Sequence, residues 1–205
     1  TLSRIEPTMG KQKTRKQRKR KANISAYIGG GLMLVGAALL LLLTQNEGTS
    51  STQAPTTERS VTPMEVNFPA PELALENLEG ETQSLEEFQG KVVLLNNWAT
   101  WCPPCKAEMP SLKKFHDAHA DDGFTVIAVE AGDKFEEVFA FAQSLDLTFP
   151  VWLDPNGDSL RVISNGSLPN SYVIDREGTV RLAWTGEISL TMLEKFVTPL
   201  IEESN

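Results

Sequence analysis

The sequence predicts an α/β domain with a central mixed sheet flanked by helices, preceded by one transmembrane helix. Two observations predict it. From residue 67 onward, short apolar runs alternate with helical patterns, and residues 24–43 form 20 positions without a charge, ending in seven successive Ala and Leu residues.

The charge distribution sharpens the second observation. Nine of the 19 Lys and Arg residues lie within the first 21 positions beside a single acid, Glu6, leaving 10 basic against 26 acidic residues in the remainder. So acidic a remainder lacks the clustered Lys and Arg that a nucleic-acid surface needs, so no nucleic-acid partner is expected. As a helix, residues 24–43 would span ~30 Å, the hydrocarbon thickness of a bilayer. The preceding basic segment, residues 1–23, then marks the cytoplasmic side, and everything after the span is expected outside the cytoplasm, anchored to the cell membrane. A cleaved signal peptide shares the basic start, but no Ala-x-Ala follows Leu43. Residues 44–66, rich in Ser, Thr, Gln and Pro, read as a flexible linker, and residues 67–205 as the folded domain.

Within the domain, residues 73–78 read as a strand, Glu79-Gly80 as a turn and 84–88 as a short helix capped by Ser84. Residues 92–95 are too continuously apolar for a half-exposed strand and predict a central one. A helix is expected over 102–120, kinked at Pro110. Residues 125–130 predict a second buried strand and 135–145 an amphipathic helix with Phe135, Val138, Phe139 and Ala142 on one face. After a strand at 151–153, Asp154-Pro155-Asn156-Gly157 is a turn sequence. Residues 171–174 and 180–184 form a hairpin across 175–178, and 191–203 close the chain as an amphipathic helix.

The two cysteines, Cys102 and Cys105, stand in Trp101-Cys102-Pro103-Pro104-Cys105 at a strand-to-helix junction. Outside the cytoplasm such a pair can oxidise to a small ring. Cys102, where the helix begins, has unpaired N–H groups and the helix dipole to favour its thiolate, so it is expected to react first and the shielded Cys105 second. Pro103 and Pro104 are tolerated in the first helical turn, where their missing N–H groups have no acceptors, and stiffen the ring. A static structural bridge closing so short a loop would stabilise only weakly. Zinc is also a poor fit, because His116 lies 14 residues beyond Cys102 on the same expected helix, roughly 20 Å away. No metal and no cofactor are expected, and His116 and His119 read as surface residues.

The run Asn96-Asn97-Trp98-Ala99-Thr100-Trp101-Cys102-Pro103-Pro104-Cys105-Lys106-Ala107-Glu108-Met109-Pro110, with Leu168-Pro169 later, resembles the thioredoxin superfamily, and within it the membrane-anchored thiol–disulfide reductases of the cytochrome c maturation type. The resemblance implies a thioredoxin-like fold, Cys102 as nucleophile and Cys105 as resolving cysteine. It also implies a cis-proline at Pro169 and a Leu168 backbone that pairs with a substrate peptide. Trp101 and Pro103 would face substrate around the nucleophile. Asn96 stands where cytoplasmic thioredoxins carry a buried Asp, so any proton acceptor must come from elsewhere. The resemblance points to the segment after the next strand, where Glu130 and Asp133 are the candidates. Asn97, where relatives usually have Phe, and Asn170, where they usually have Thr, depart from the pattern. The expected partners are extracytoplasmic thiol or disulfide proteins, apocytochrome c among them, and a transmembrane electron donor. A thiol oxidase would use the same residues in reverse. A peroxiredoxin-type peroxidase has Thr where this chain has Ala99, and a redox-inactive binding module would survive loss of Cys102.

Overall fold

The computed structural model describes residues 60–203. The basic segment, the expected membrane span and most of the expected linker lie outside them. Within the described residues no helix is long and apolar enough to cross a membrane.

Eight strands form one sheet: β1 (Met64–Pro69), β2 (Ala74–Asn77), β3 (Thr82–Ser84), β4 (Val92–Trp98), β5 (Phe124–Glu130), β6 (Val151–Leu153), β7 (Asn170–Ile174) and β8 (Thr179–Thr185). Their spatial order is β1-β8-β7-β4-β5-β6-β2-β3. The β4–β5 and β5–β6 pairs are parallel and all others antiparallel, which makes the sheet mixed. The helices are α1 (Pro103–His119), α2 (Phe135–Ser144), α3 (Asp158–Ile163), α4 (Leu190–Phe196) and α5 (Thr198–Glu202).

β4 and β5 are buried along their whole length, as their unbroken apolar runs require. Alternation then sorts their side chains between two cores. Val92, Leu94 and Trp98 join Met109, Leu112 and Phe115 of α1, while Val93 and Leu95 join Ile127, Val129, Trp152 and Tyr172 on the other face. α1 is continuous through Pro110, whose side is exposed.

Several elements differ from the sequence reading. β1 starts at Met64, inside the segment read as linker, and it is an almost wholly exposed edge strand with no apolar period to announce it. The chain is engaged even earlier, since the Val61 N–H donates to the Glu187 carbonyl at 3.0 Å and the Ser189 N–H to Ser60 Oγ at 2.9 Å. β3 pairs back on β2 through a turn in which Asn77 Oδ1 accepts the N–H groups of Glu79 and Glu81 at 3.0 and 2.8 Å. The expected short helix over 84–88 is a 3₁₀ turn, Leu85–Phe88. The Asp154–Gly157 turn is present and opens directly into α3, which at 6 residues is too short to show helical periodicity. The C-terminal helix is two, divided at Val197 just before Pro199. His116 is a buried residue: its Nδ1 accepts the Val126 N–H at 3.4 Å, its ring meets Phe149 edge-on at 5.5 Å, and burial pushes its pKa down.

Phe115 is fully buried, 5.1 Å from the Phe124 ring and 4.6 Å from that of His119. Phe115→Ala should therefore cost ~3–5 kcal/mol in urea unfolding of the oxidised protein, with the slope of the transition unchanged. A loss below ~1 kcal/mol would show that this layer does not hold α1 to the sheet.

Candidate active site

The site is built where β4 ends and α1 begins. The intervening turn is fixed at both ends. The Cys102 N–H donates to the Ala99 carbonyl at 3.2 Å and the Ala131 N–H to the Trp98 carbonyl at 2.9 Å. The Thr100 N–H and hydroxyl both donate to Asp133 Oδ2 at 2.7 Å. Trp98 is buried against Phe141, with ring centroids 5.0 Å apart.

Cys102 and Cys105 form a disulfide with Cα atoms 5.3 Å apart. Cys102 is the N-cap of α1, and its sulfur accepts the Cys105 N–H at 3.3 Å. In the reduced protein that N–H, with the positive end of the helix dipole, favours a Cys102 thiolate. Cys102 is 4% exposed and Cys105 0%, so an incoming sulfur can reach only Cys102. Trp101, 66% exposed, and the exposed Pro103 and Pro104 surround the opening.

The Leu168–Pro169 bond is cis. Asn170 lies opposite Asn97 in the β4–β7 register, which places Pro169 and Leu168 at the end of the sheet where β4 turns toward Cys102. Leu168 also packs against the hydrophobic cluster that contains both cysteines. Its main-chain N–H and C=O make no hydrogen bond among the described residues.

Three carboxyl groups at this end of the molecule have shifted pKa values. Asp133 grips the Thr100 turn as above, and burial, which would raise its pKa, is outweighed by hydrogen bonds with Glu130 and Thr100 that hold it below the usual carboxylate range. Glu130, buried beside Trp98 in the β4–β5 register, accepts the Asp133 N–H at 3.0 and 3.1 Å. Desolvation, then its contacts with Asp133, push its pKa well up.

The third, Glu108, is the residue that sequence reasoning missed. It is 1% exposed and one helical turn past Cys105 on the same buried face of α1. Its Oε1 accepts from Asn96 Nδ2 at 2.8 Å and its Oε2 from the Ile188 N–H at 3.1 Å. Burial pushes its pKa up to about 8, against those two donors, and the nearby Glu187 charge adds to the rise. The available signal was a Glu on the face of α1 that otherwise carries Cys105, Met109, Leu112 and Phe115.

A lone redox pair at a helix N-terminus, with one reachable sulfur and one buried, on a mixed sheet of this order, defines a thiol–disulfide oxidoreductase with a thioredoxin-like fold. The AhpC/TSA family model matches residues 66–183, and the chain belongs to that family as a thiol–disulfide oxidoreductase of the ResA/DsbE type. It is 33% identical over 164 residues to the thiol-disulfide oxidoreductase ResA of Geobacillus kaustophilus, covering 80% of this chain and 92% of that one. It is 39% identical over 129 residues to the thioredoxin-like protein YneN of Bacillus subtilis, covering 62% and 75% respectively. A crystal structure of a putative thiol:disulfide interchange protein DsbE from Chlorobium tepidum superimposes with a TM-score of 0.62 at 29% identity, covering 67% of this chain and 99% of that one.

The raised Glu108 pKa has a signed consequence for stability. A carboxyl whose folded pKa of about 8 exceeds its unfolded value of 4.5 contributes stability that is fully present below 4.5 and is lost as pH rises through about 8. Chemical unfolding of the oxidised protein should therefore show stability falling across that window. Glu108→Gln should remove about half of the fall, leaving a comparable decline due to Glu130, whose pKa is likewise pushed up to about 8. An unchanged pH slope in the variant would mean that Glu108 is already ionised at pH 5.

Proposed function

We propose that this chain is a membrane-anchored reductase, with its N-terminus in the cytoplasm and its redox domain outside, that reduces disulfides of exported proteins such as apocytochrome c. The observation that carries the reading is the division of the redox pair into a reachable Cys102 and a buried Cys105. The uncharged stretch over residues 24–43, with nine basic residues before it, supports the anchor and its orientation. The family membership supports the chemistry.

In the proposed cycle the Cys102 thiolate attacks one sulfur of a substrate disulfide. A mixed disulfide forms and the other substrate sulfur leaves as a thiolate, which takes a proton. The Cys105 thiol then gives up its proton and attacks the Cys102 sulfur. The Cys102–Cys105 disulfide closes, and the second substrate sulfur leaves as a thiolate that is protonated in turn. Two electrons have passed from the protein dithiol to the substrate. A transmembrane dithiol donor runs the same exchange against the protein disulfide to recharge it.

Cys105 is closed off from water, so its proton needs an internal acceptor. Glu108, one helical turn from Cys105 on the same buried face of α1 and with a pKa close to that of an ordinary thiol near 8.5, suits that role better than Glu130, which stands on β5 beside Trp98. Asp133 holds the turn ahead of Cys102. The oxidase alternative uses the same atoms with electrons flowing the other way.

The test is a trap. Full-length Cys105→Ser, expressed in its membrane, should accumulate mixed disulfides between Cys102 and exported Cys-containing proteins, visible as dithiothreitol-sensitive higher-mass bands. Cys102→Ser should give none. Equal capture by both variants, or by neither, would contradict the cycle.

A further inference from the structure

On the face of β4 opposite Glu108 lies a second polar chain that the exchange chemistry leaves unused. Asn97 and Asn170 face each other across the β4–β7 pair, and both are 0% exposed. Asn97 Nδ2 donates to Asn170 Oδ1 at 2.8 Å. The Ser159 hydroxyl, also fully buried, donates to Asn97 Oδ1 at 2.6 Å. Asn170 Nδ2 donates to the Ser167 carbonyl at 2.7 Å and the Asn165 carbonyl at 3.3 Å. Behind Ser159, the buried Asp154 carboxylate accepts the N–H groups of Asp158 and Ser159, each at 2.8 Å, which fixes the start of α3. From the solvent side, Asn165 Nδ2 donates to the Tyr172 hydroxyl and Thr185 Oγ1, both at 3.1 Å.

Every polar atom of the two amides is thus satisfied, and the chain of bonds runs from the end of β6 to the main chain just ahead of Leu168. Stability alone does not call for it, since a buried polar pair replaced together by apolar groups of similar shape is often close to neutral. What apolar packing cannot do is name two particular carbonyls and hold them in one place. Gly166 and Ser167 are exposed and lie outside any helix or strand, and those bonds hold them together with the Ser167 N–H, which donates to Asn165 Oδ1 at 3.1 Å. The next residue is Leu168, whose free N–H and C=O can pair with an extended peptide.

We propose that Asn97, Asn170 and Ser159 are positioning residues that hold the 165–168 loop in register to add a substrate segment as a strand beside the disulfide. The strand pairing at Leu168 is what the resemblance to the thioredoxin superfamily implies; the structure adds the buried network that holds the loop ready for it. The inference rests on the oxidoreductase reading and goes beyond it to what sets substrate affinity.

The test is steady-state reduction of a peptide carrying one disulfide by the full chain in detergent, with dithiothreitol as electron source, comparing the parent with Asn170→Ala and Ser159→Ala. Asn170→Ala should raise KM for the peptide about tenfold, corresponding to roughly 1.4 kcal/mol, with kcat within about twofold. Ser159→Ala, which removes one hydroxyl and decides the matter should Asn170→Ala not fold, should raise KM in the same direction by a smaller factor. Variants that melt earlier but keep the parent's KM would show a purely structural network and overturn the proposal. So would a fall in kcat at constant KM. Absence of turnover by the parent is a different result, which would remove the oxidoreductase reading itself.

Discussion

Two adjacent asparagines, Asn96 and Asn97, lie just before the end of the central strand where water is excluded, so their hydrogen-bond partners can come only from the protein. Because neighbouring strand residues point to opposite faces, the two amides find their partners on opposite sides of the sheet, with Asn96 Oδ1 alone left unpaired among the described residues. Asn96 Nδ2 turns to Glu108 and to Ser171 Oγ at 3.0 Å. Asn97 turns to Ser159 and Asn170. One amide thereby fixes the carboxyl that lies a turn from Cys105, and the other fixes the loop that leads to Pro169. The disulfide sits between the two, at the N-terminus of the helix into which the same strand runs.

The separation has a chemical logic. An Asn on the strand cannot hold a proton, and the titrating group it bonds, Glu108, sits on the helix that also carries Cys105. In the proposed roles, substrate affinity and proton transfer fall to different residues on different faces of the sheet. Asn96 Oδ1, the one atom of the pair without a hydrogen-bond partner, stands on the proton side of this division.

Much of this was legible in the sequence for a plain physical reason. The central strands are buried on both faces and so read as unbroken apolar runs, and the Cys pair is confined by proline in a pattern with few rival uses. What was not legible falls into two kinds. β1 and α3 are held by pairing and capping, through the β8 edge and Asp154, and carry no apolar period of their own. Glu108 and His116 were read past because a charged or titratable residue on a helix is usually solvated, and only the packing of α1 on the sheet shows them buried. Glu130 and Asp133 were the expected carboxyls. The structure uses Asp133 to grip the Thr100 turn and sets Glu130 behind it.

The proposed direction of electron flow depends on how the protein weighs its dithiol against its disulfide. Its reduction potential tests that most directly. The full chain in detergent would be equilibrated against dithiothreitol or glutathione buffers and followed by tryptophan fluorescence. A reductase recharged through the membrane requires a reversible two-electron transition near the thioredoxin value of about −270 mV. A value near −120 mV would instead mark a strong oxidant and contradict the account.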